Sequence, residues 1–141
     1  MFGMTKRQFL KRSKKALQET GVQILSLRGL MNQETSADIS IIEAHRRLDV
    51  LRREVENTFS SYEKLISPSE CFHLHQEIIH GLILFFESIV TYSEYLYAKE
   101  SNLEKEFPDL LRKSNKNLKE YQELSIKLSK EVDSKLNKKI K

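Results

Sequence analysis

The stretch Ser67-Pro68-Ser69-Glu70 followed by CFHLHQEIIHGLILFFESIVTYSEYL (residues 71–96) decides the fold. Its opening reads as a helix start, with Ser67 as cap, Pro68 at the first helical position and Glu70 at the third. Behind it Cys71, Leu74, Ile78, Leu82, Phe85, Ile89, Tyr92 and Leu96 recur in three- and four-residue steps, the spacing of one helix face. His75, Ile79, Phe86 and Tyr97 widen that face, so this helix needs more than one neighbour.

The same periodicity extends on both sides. Upstream, Ile41, Ala44, Leu48, Leu51, Val55, Thr58, Tyr62 and Leu65 form a heptad seam in a segment expected over 37–66, with Phe59 and Ile66 beside it. Further upstream, Thr5 and Gln8 read as a capping box. It opens a helix on which Phe9, Ala16, Leu17, Ile24, Leu27 and Met31 share a face. A break is expected near Thr20-Gly21 and a loop over Asn32 to Ser36. Downstream, Leu110, Leu111, Leu118, Tyr121, Leu124, Leu128, Val132 and Leu136 mark a last helix. Its start is expected either at a Ser101/Glu104 capping box or at Pro108. From about residue 133 a frayed basic tail is expected, with Lys135, Lys138, Lys139 and Lys141 solvated.

These segments predict an all-α, up-down antiparallel bundle of four long amphipathic helices in a single domain over 1–141. The competing arrangement is a long helical hairpin of the second and third segments that forms a homodimer through its coiled-coil seams. Composition agrees with helices: among 141 residues there are two prolines and four glycines, no Trp, and 31% charged residues. The longest apolar run, Leu82 to Phe86, is too short for a transmembrane segment, and the basic N-terminus lacks the apolar core of a signal peptide. A cytoplasmic protein is the expectation. The one cysteine, Cys71, excludes an intramolecular disulfide.

Charge is unevenly distributed. Residues 1–33 carry seven basic and one acidic residue, residues 34–111 seven basic and fifteen acidic, and residues 112–141 ten basic and four acidic. Two basic ends thus flank an acidic middle. Either the ends pack beside the middle and neutralise it, or they grip an anionic partner such as nucleic acid or an acidic membrane surface. Lys6, Arg7, Lys11, Arg12, Lys14 and Lys15 are the candidate anion-binding residues. For a membrane, Phe2, Phe9 and Leu10 would insert.

Glu70/His73 and Glu77/His80 repeat a Glu-x-x-His spacing that can share a metal in helical bundles. Both copies lie on one helix, on the side away from its apolar face, so a solvated face with local ion pairs is the expected role. Cys71 and His75, four apart, could offer an edge of a zinc site with His45, but no second Cys/His pair follows. Glu70, His73, His75, Glu77 and His80 are therefore the residues to check for a metal, and no cofactor is expected. No phosphate loop, nucleophile elbow or inward carboxylate pair is present, and the seams read as almost wholly apolar. Tyr95, Leu84 and Ile83 on the third helix and Val50 on the second read as outward, a candidate surface for self-association. The leading expectation is a non-enzymatic helical scaffold or protein–protein interaction module. An anion-binding module is the alternative, and a metal-binding bundle a further one.

Overall fold

A computed structural model describes residues 3–138. Four long helices make up the described chain: α1 (Lys6–Thr35), α2 (Ile41–Glu63), α3 (Phe72–Glu100) and α4 (Asp109–Asn137). Each packs on two neighbours, in the order α1, α2, α3, α4 and back to α1, with little contact across the α1–α3 diagonal. Residue pairs fix the direction of every contact. Ser13 meets Tyr62 while Gln33 meets Arg47; Tyr62 meets His75 while His45 meets Tyr97; Ser88 meets Ser114; Lys14 meets Asp133 while Thr20 meets Tyr121. Sequence numbers rise on one helix as they fall on its neighbour, so the bundle is antiparallel throughout. The heptad seams of α2 and α3 close against each other and against α1 and α4 within one chain.

The α1 capping box is present: Thr5 Oγ1 accepts from the Gln8 N–H at 3.1 Å, and Gln8 Oε1 accepts from the Thr5 N–H at 3.0 Å. The helix passes Thr20-Gly21 without a break. The Thr20 hydroxyl bonds the Leu17 carbonyl at 3.1 Å and the Tyr121 hydroxyl at 2.8 Å, which anchors this turn on α4. Asn32–Thr35, expected as loop, is helical because Glu34 turns inward. Its carboxylate lies buried between the Lys99 ammonium and the Tyr92 hydroxyl, the latter at 3.2 Å. Burial and that carboxylate raise the Tyr92 hydroxyl pKa, and the same carboxylate raises that of Lys99.

Helix α1 ends in a Schellman turn. The Asp38 N–H reaches the Gln33 carbonyl at 2.8 Å and the Ala37 N–H reaches the Glu34 carbonyl at 3.1 Å, with Ala37 at φ 60°. The end of α3 repeats it: Leu103 N–H to Ala98 carbonyl at 2.7 Å, Asn102 N–H to Lys99 carbonyl at 3.1 Å, and Asn102 at φ 58°. Neither turn uses glycine, so neither announces itself in the sequence. After the first turn, Ser40 caps α2 by accepting from the Glu43 N–H at 3.0 Å, which starts the helix four residues later than expected. The Ser67 cap is not formed. Instead Cys71 N–H bonds the Pro68 carbonyl at 2.8 Å, closing one 3₁₀ turn over Ser69–Cys71 that carries Cys71 into the core before α3 begins. Another 3₁₀ turn, Glu104–Glu106, precedes Pro108, and Pro108 rather than Ser101 stands at the start of α4. Helix α4 continues to Asn137, past the expected onset of fraying, with Leu136 packed against the core. Lys139 and Lys141 lie outside the described residues.

The core is less apolar than the seams suggested. Ser13, Thr20, Thr58, His75, Ser88, Thr91, Ser114 and Ser125 are buried beside the expected hydrophobic residues. Ser88 and Ser114 each donate a hydroxyl proton to the other's carbonyl, at 2.8 and 2.7 Å, across the α3–α4 contact. Further along the same contact, a Cβ on Gly81 would lie 2.9 Å from Tyr121 Cε1 and 3.2 Å from Leu124 Cδ2. The Tyr121 ring cannot retreat, being fully buried and stacked on Phe85 at 5.2 Å. Gly81→Val is therefore expected to lower stability by about 2 kcal/mol through overpacking. Gly29→Ala, at an exposed helical position with open space for the methyl, should raise it by about 0.5–1 kcal/mol. Urea unfolding of the two variants beside the parent measures both.

Candidate anion-binding face

The antiparallel order puts the N-terminal half of α1 next to the C-terminal half of α4. The two basic ends of the sequence therefore lie side by side at one pole. Lys6, Arg7, Lys135 and Lys138 surround one shallow depression there, with Leu10 and Leu136 at its floor. Arg7, Lys11 and Lys14 border the α1–α4 groove with Asp133 and Asn137. Arg12 and Lys15 face the other way, over the α1–α2 groove, with Glu19, Asn57 and Ser61.

Helical spacing explains this division. Arg7, Lys11 and Lys14 follow each other at four- and three-residue steps on the α4 side, while Arg12 and Lys15, three residues apart, lie on the α2 side. Phe9, Leu10, Ser13, Ala16 and Leu17 occupy the remaining face and are buried. Two ion pairs partly neutralise the pole: Lys14 Nζ to Asp133 at 3.1 Å, and Lys6 Nζ to Glu70 at 3.9 Å. Among the described residues Arg7, Lys11, Arg12, Lys15, Lys135 and Lys138 have no carboxylate within ion-pair distance. The first turn of α1 carries Lys6 and Arg7 and no acidic residue, so positive side chains stand at the positive end of the helix dipole. Each such placement costs a few tenths of a kcal/mol, and the like-charged four-residue neighbours add similar amounts. An anion at the pole would relieve both.

The other arginine-rich segment is arranged differently. On α2, Glu43 holds Arg46 and Arg47 at 2.6 and 2.8 Å, Asp49 holds Arg52 and Arg53 at 2.6 Å each, and Glu56 also reaches Arg52, at 2.5 Å. Those guanidinium groups are already satisfied, and their carboxylates account for part of the acidic middle.

The metal candidates are dispersed. The His73 side chain is 89% exposed and lies 3.4 Å from Glu77; Glu70 is on the surface beside Lys6, and His80 is exposed. His75 is buried, with its Nε2 3.2 Å from the Tyr62 carbonyl and its ring edge-on to Phe9 and Tyr62. It helps close the C-terminal end of α2. Burial raises the Cys71 thiol pKa, which suits a packed side chain rather than a nucleophile. His45 stands at the opposite end of the bundle, against Tyr97 and Glu100. Among the described residues no group of three or more His, Cys, Asp or Glu side chains is placed to hold a metal ion, and no helix is long and apolar enough to cross a membrane.

The surface candidates also sort differently from expectation. Tyr95 and Leu84 are not outward: both are half-buried against the core, with Tyr95 stacked on Tyr92 at 5.9 Å and the Lys99 ammonium 5.9 Å above its ring. Tyr97, placed beside the core seam from the sequence, is exposed. Val50 and Ile83 are exposed, as expected, Val50 beside Leu25 on the α1–α2 groove and Ile83 beside Phe59 and Phe86 on the α2–α3 groove. Comparison of the chain with protein-family models, with curated proteins and with solved structures found no match.

The satisfied arginines of α2 have a titration consequence. Arg46 and Arg47 depress the Glu43 carboxyl from 4.5 to about 2. A depressed carboxylate stabilises the fold above its ordinary pKa, and that contribution fades as the pH falls toward about 2. An NMR pH titration should show the Glu43 carboxyl still ionised at pH near 3, and the Arg46→Gln, Arg47→Gln double variant should return it toward 4.5.

Proposed function

We propose that this chain is a non-enzymatic helical binding module that holds the phosphates of a nucleic acid against the basic pole formed by α1 and α4, in a cytoplasmic setting. The observation that carries the reading is that Arg7, Lys11, Lys135 and Lys138 at the α1–α4 pole, and Arg12 and Lys15 on the adjoining α1–α2 side, have no carboxylate within ion-pair distance among the described residues. Bringing cations from the two ends of a chain to one surface raises the electrostatic free energy of the fold, and a polyanion offsets that cost. Duplex nucleic acid, with a negative charge for about every 1.7 Å of axis, supplies the density that a row of cations on adjacent turns can follow.

A nucleic acid fits better than a bilayer because Phe9 and Leu10, the apolar residues interleaved with these cations, are buried in the core. They leave no apolar edge between Arg7 and Lys15 to enter lipid. Phe2 lies outside the described residues. Among the described residues no aromatic stacking platform accompanies the basic side chains, which argues for contacts to the backbone, with little preference for sequence.

Fluorescence anisotropy with labelled duplex DNA over a range of salt concentrations tests this. Binding should weaken steeply with salt. The Arg7→Gln, Lys11→Gln, Arg12→Gln, Lys15→Gln variant should lose at least about tenfold in affinity, with a salt slope reduced by about one for each phosphate contact removed. Affinity indifferent to salt and to these substitutions would overturn the reading. Binding to phosphatidylserine vesicles but not to duplex would move the partner from nucleic acid to membrane.

A further inference from the structure

Helix α3 carries two seams. The first, from Cys71 to Leu96, fills the core. The other follows it one residue later and lies along the outer α2–α3 edge. Its apolar members are Phe72, Ile79, Ile83, Phe86, Val90 and Tyr97. Ile79 and Phe86 are half-buried, whereas Phe72 is 59%, Ile83 41%, Val90 39% and Tyr97 61% exposed. The steps between them are sevens, threes and fours, so they occupy the a and d positions of a heptad repeat. Gln76 and Ser93, both half-buried, fill the two positions left over.

This outer seam is symmetric about the midpoint between Leu84 and Phe85. Reversed about that point, Phe72 falls on Tyr97, Ile79 on Val90 and Ile83 on Phe86. The polar pair obeys the same reversal, Gln76 falling on Ser93. Aromatic meets aromatic at the ends, β-branched meets β-branched further in, polar meets polar between them, and at the centre Ile83 meets Phe86. In antiparallel pairing of heptad helices an a position faces a d position of the partner, which is what each of these pairs does. The flanking e positions are His73, His80, Glu87 and Glu94. The same register sets His73 beside Glu94 and His80 beside Glu87 of the opposing helix, so imidazole N–H groups meet carboxylates and no acidic side chain meets another. A two-fold interface sets each residue against its reversed counterpart, and here that counterpart is apolar for each apolar residue and polar for each polar one.

We infer that this stripe is the interface of a two-fold dimer in which α3 packs antiparallel on α3 of a second copy. From Phe72 to Tyr97 it is about 38 Å long. The adjoining edge of α2 extends it. That edge contributes Phe59, which with Ile83 and Phe86 lines a groove of about 400 Å³ able to receive apolar side chains of the opposing helix. Beyond Phe59, Arg52 is held between Asp49 and Glu56, which makes a polar rim carrying charges of both signs. The interface is separate from the basic pole and does not depend on what that pole binds.

Sedimentation of the full chain in about 0.5 M salt, where polyanion binding is suppressed, reads the oligomeric state. A dimer is expected. Ile83→Glu places a carboxylate beside Phe86 of the second copy, twice in each dimer, and should weaken the dimer on the order of 100-fold with the far-UV dichroism unchanged. Should that variant fail to fold, Val90→Glu reads the same interface at another exposed position. Register is tested in a Cys71→Ala background. Phe72→Cys mixed with Tyr97→Cys should form an intermolecular disulfide, and neither alone should do so. A monomer at every concentration, a dimer that both glutamate variants leave intact, or Phe72→Cys cross-linking to itself would each overturn the inference.

Discussion

Tyr121 is the side chain on which the arrangement of the bundle turns. It is fully buried in α4, its ring stacks on Phe85 and presses against the bare backbone of Gly81, and its hydroxyl bonds Thr20 on α1. Burial raises its hydroxyl to about 12, so it stays protonated and able to donate. One residue thus sets the close approach of α3 to α4 and the axial position of α1 against both. Tyr62 performs the equivalent task nearer the basic pole, bonded to Ser13 at 2.7 Å and packed on His75. Hydroxyl pairs at fixed heights along the axis pin register in a way that interchangeable leucines do not, because shifting a helix by one turn would leave each hydroxyl buried and unpaired.

Once register is pinned, the charge pattern follows from topology. An antiparallel bundle of four necessarily puts the first half of α1 against the last half of α4. Both are lysine-rich, and the acidic residues that could have neutralised them sit on α2 and α3, largely committed to arginines on their own helix or exposed elsewhere. The molecule therefore has one pole where cations crowd and one flank where ion pairs are internal. Exposed pairs of the latter kind contribute little stability. They do decide which arginines are available to a partner.

Helix α3 shows how a single amphipathic segment can serve two surfaces. Offsetting one heptad seam from another by one residue rotates it by about 100°. The core seam then faces α1, α2 and α4, and the outer seam points past α2 toward solvent. Half-burial of Ile79 and Phe86 at the join gives the outer stripe a rigid footing, since their inner atoms belong to the packed core.

Periodicity by itself determined the helical class, the number of long helices and most of the buried positions, because a 3.6-residue repeat marks one face whatever lies opposite. The Thr5/Gln8 box was equally legible, being local hydrogen-bond chemistry. Helix boundaries at Ala37 and Asn102 were not, because those Schellman turns hold non-glycine residues in a left-handed conformation that only the surrounding packing enforces. Nor was the inward turn of Glu34, whose partners Tyr92 and Lys99 are distant in sequence. The basic residues of the candidate face could be read one by one. That α1 and α4 set them together was a consequence of antiparallel order, and that Phe9 and Leu10 point away from them a consequence of core burial. The outer seam of α3 stood in the sequence merged with the core seam into one broad apolar arc. Only tertiary structure divides such an arc, because it alone says which part of the arc a neighbouring helix covers.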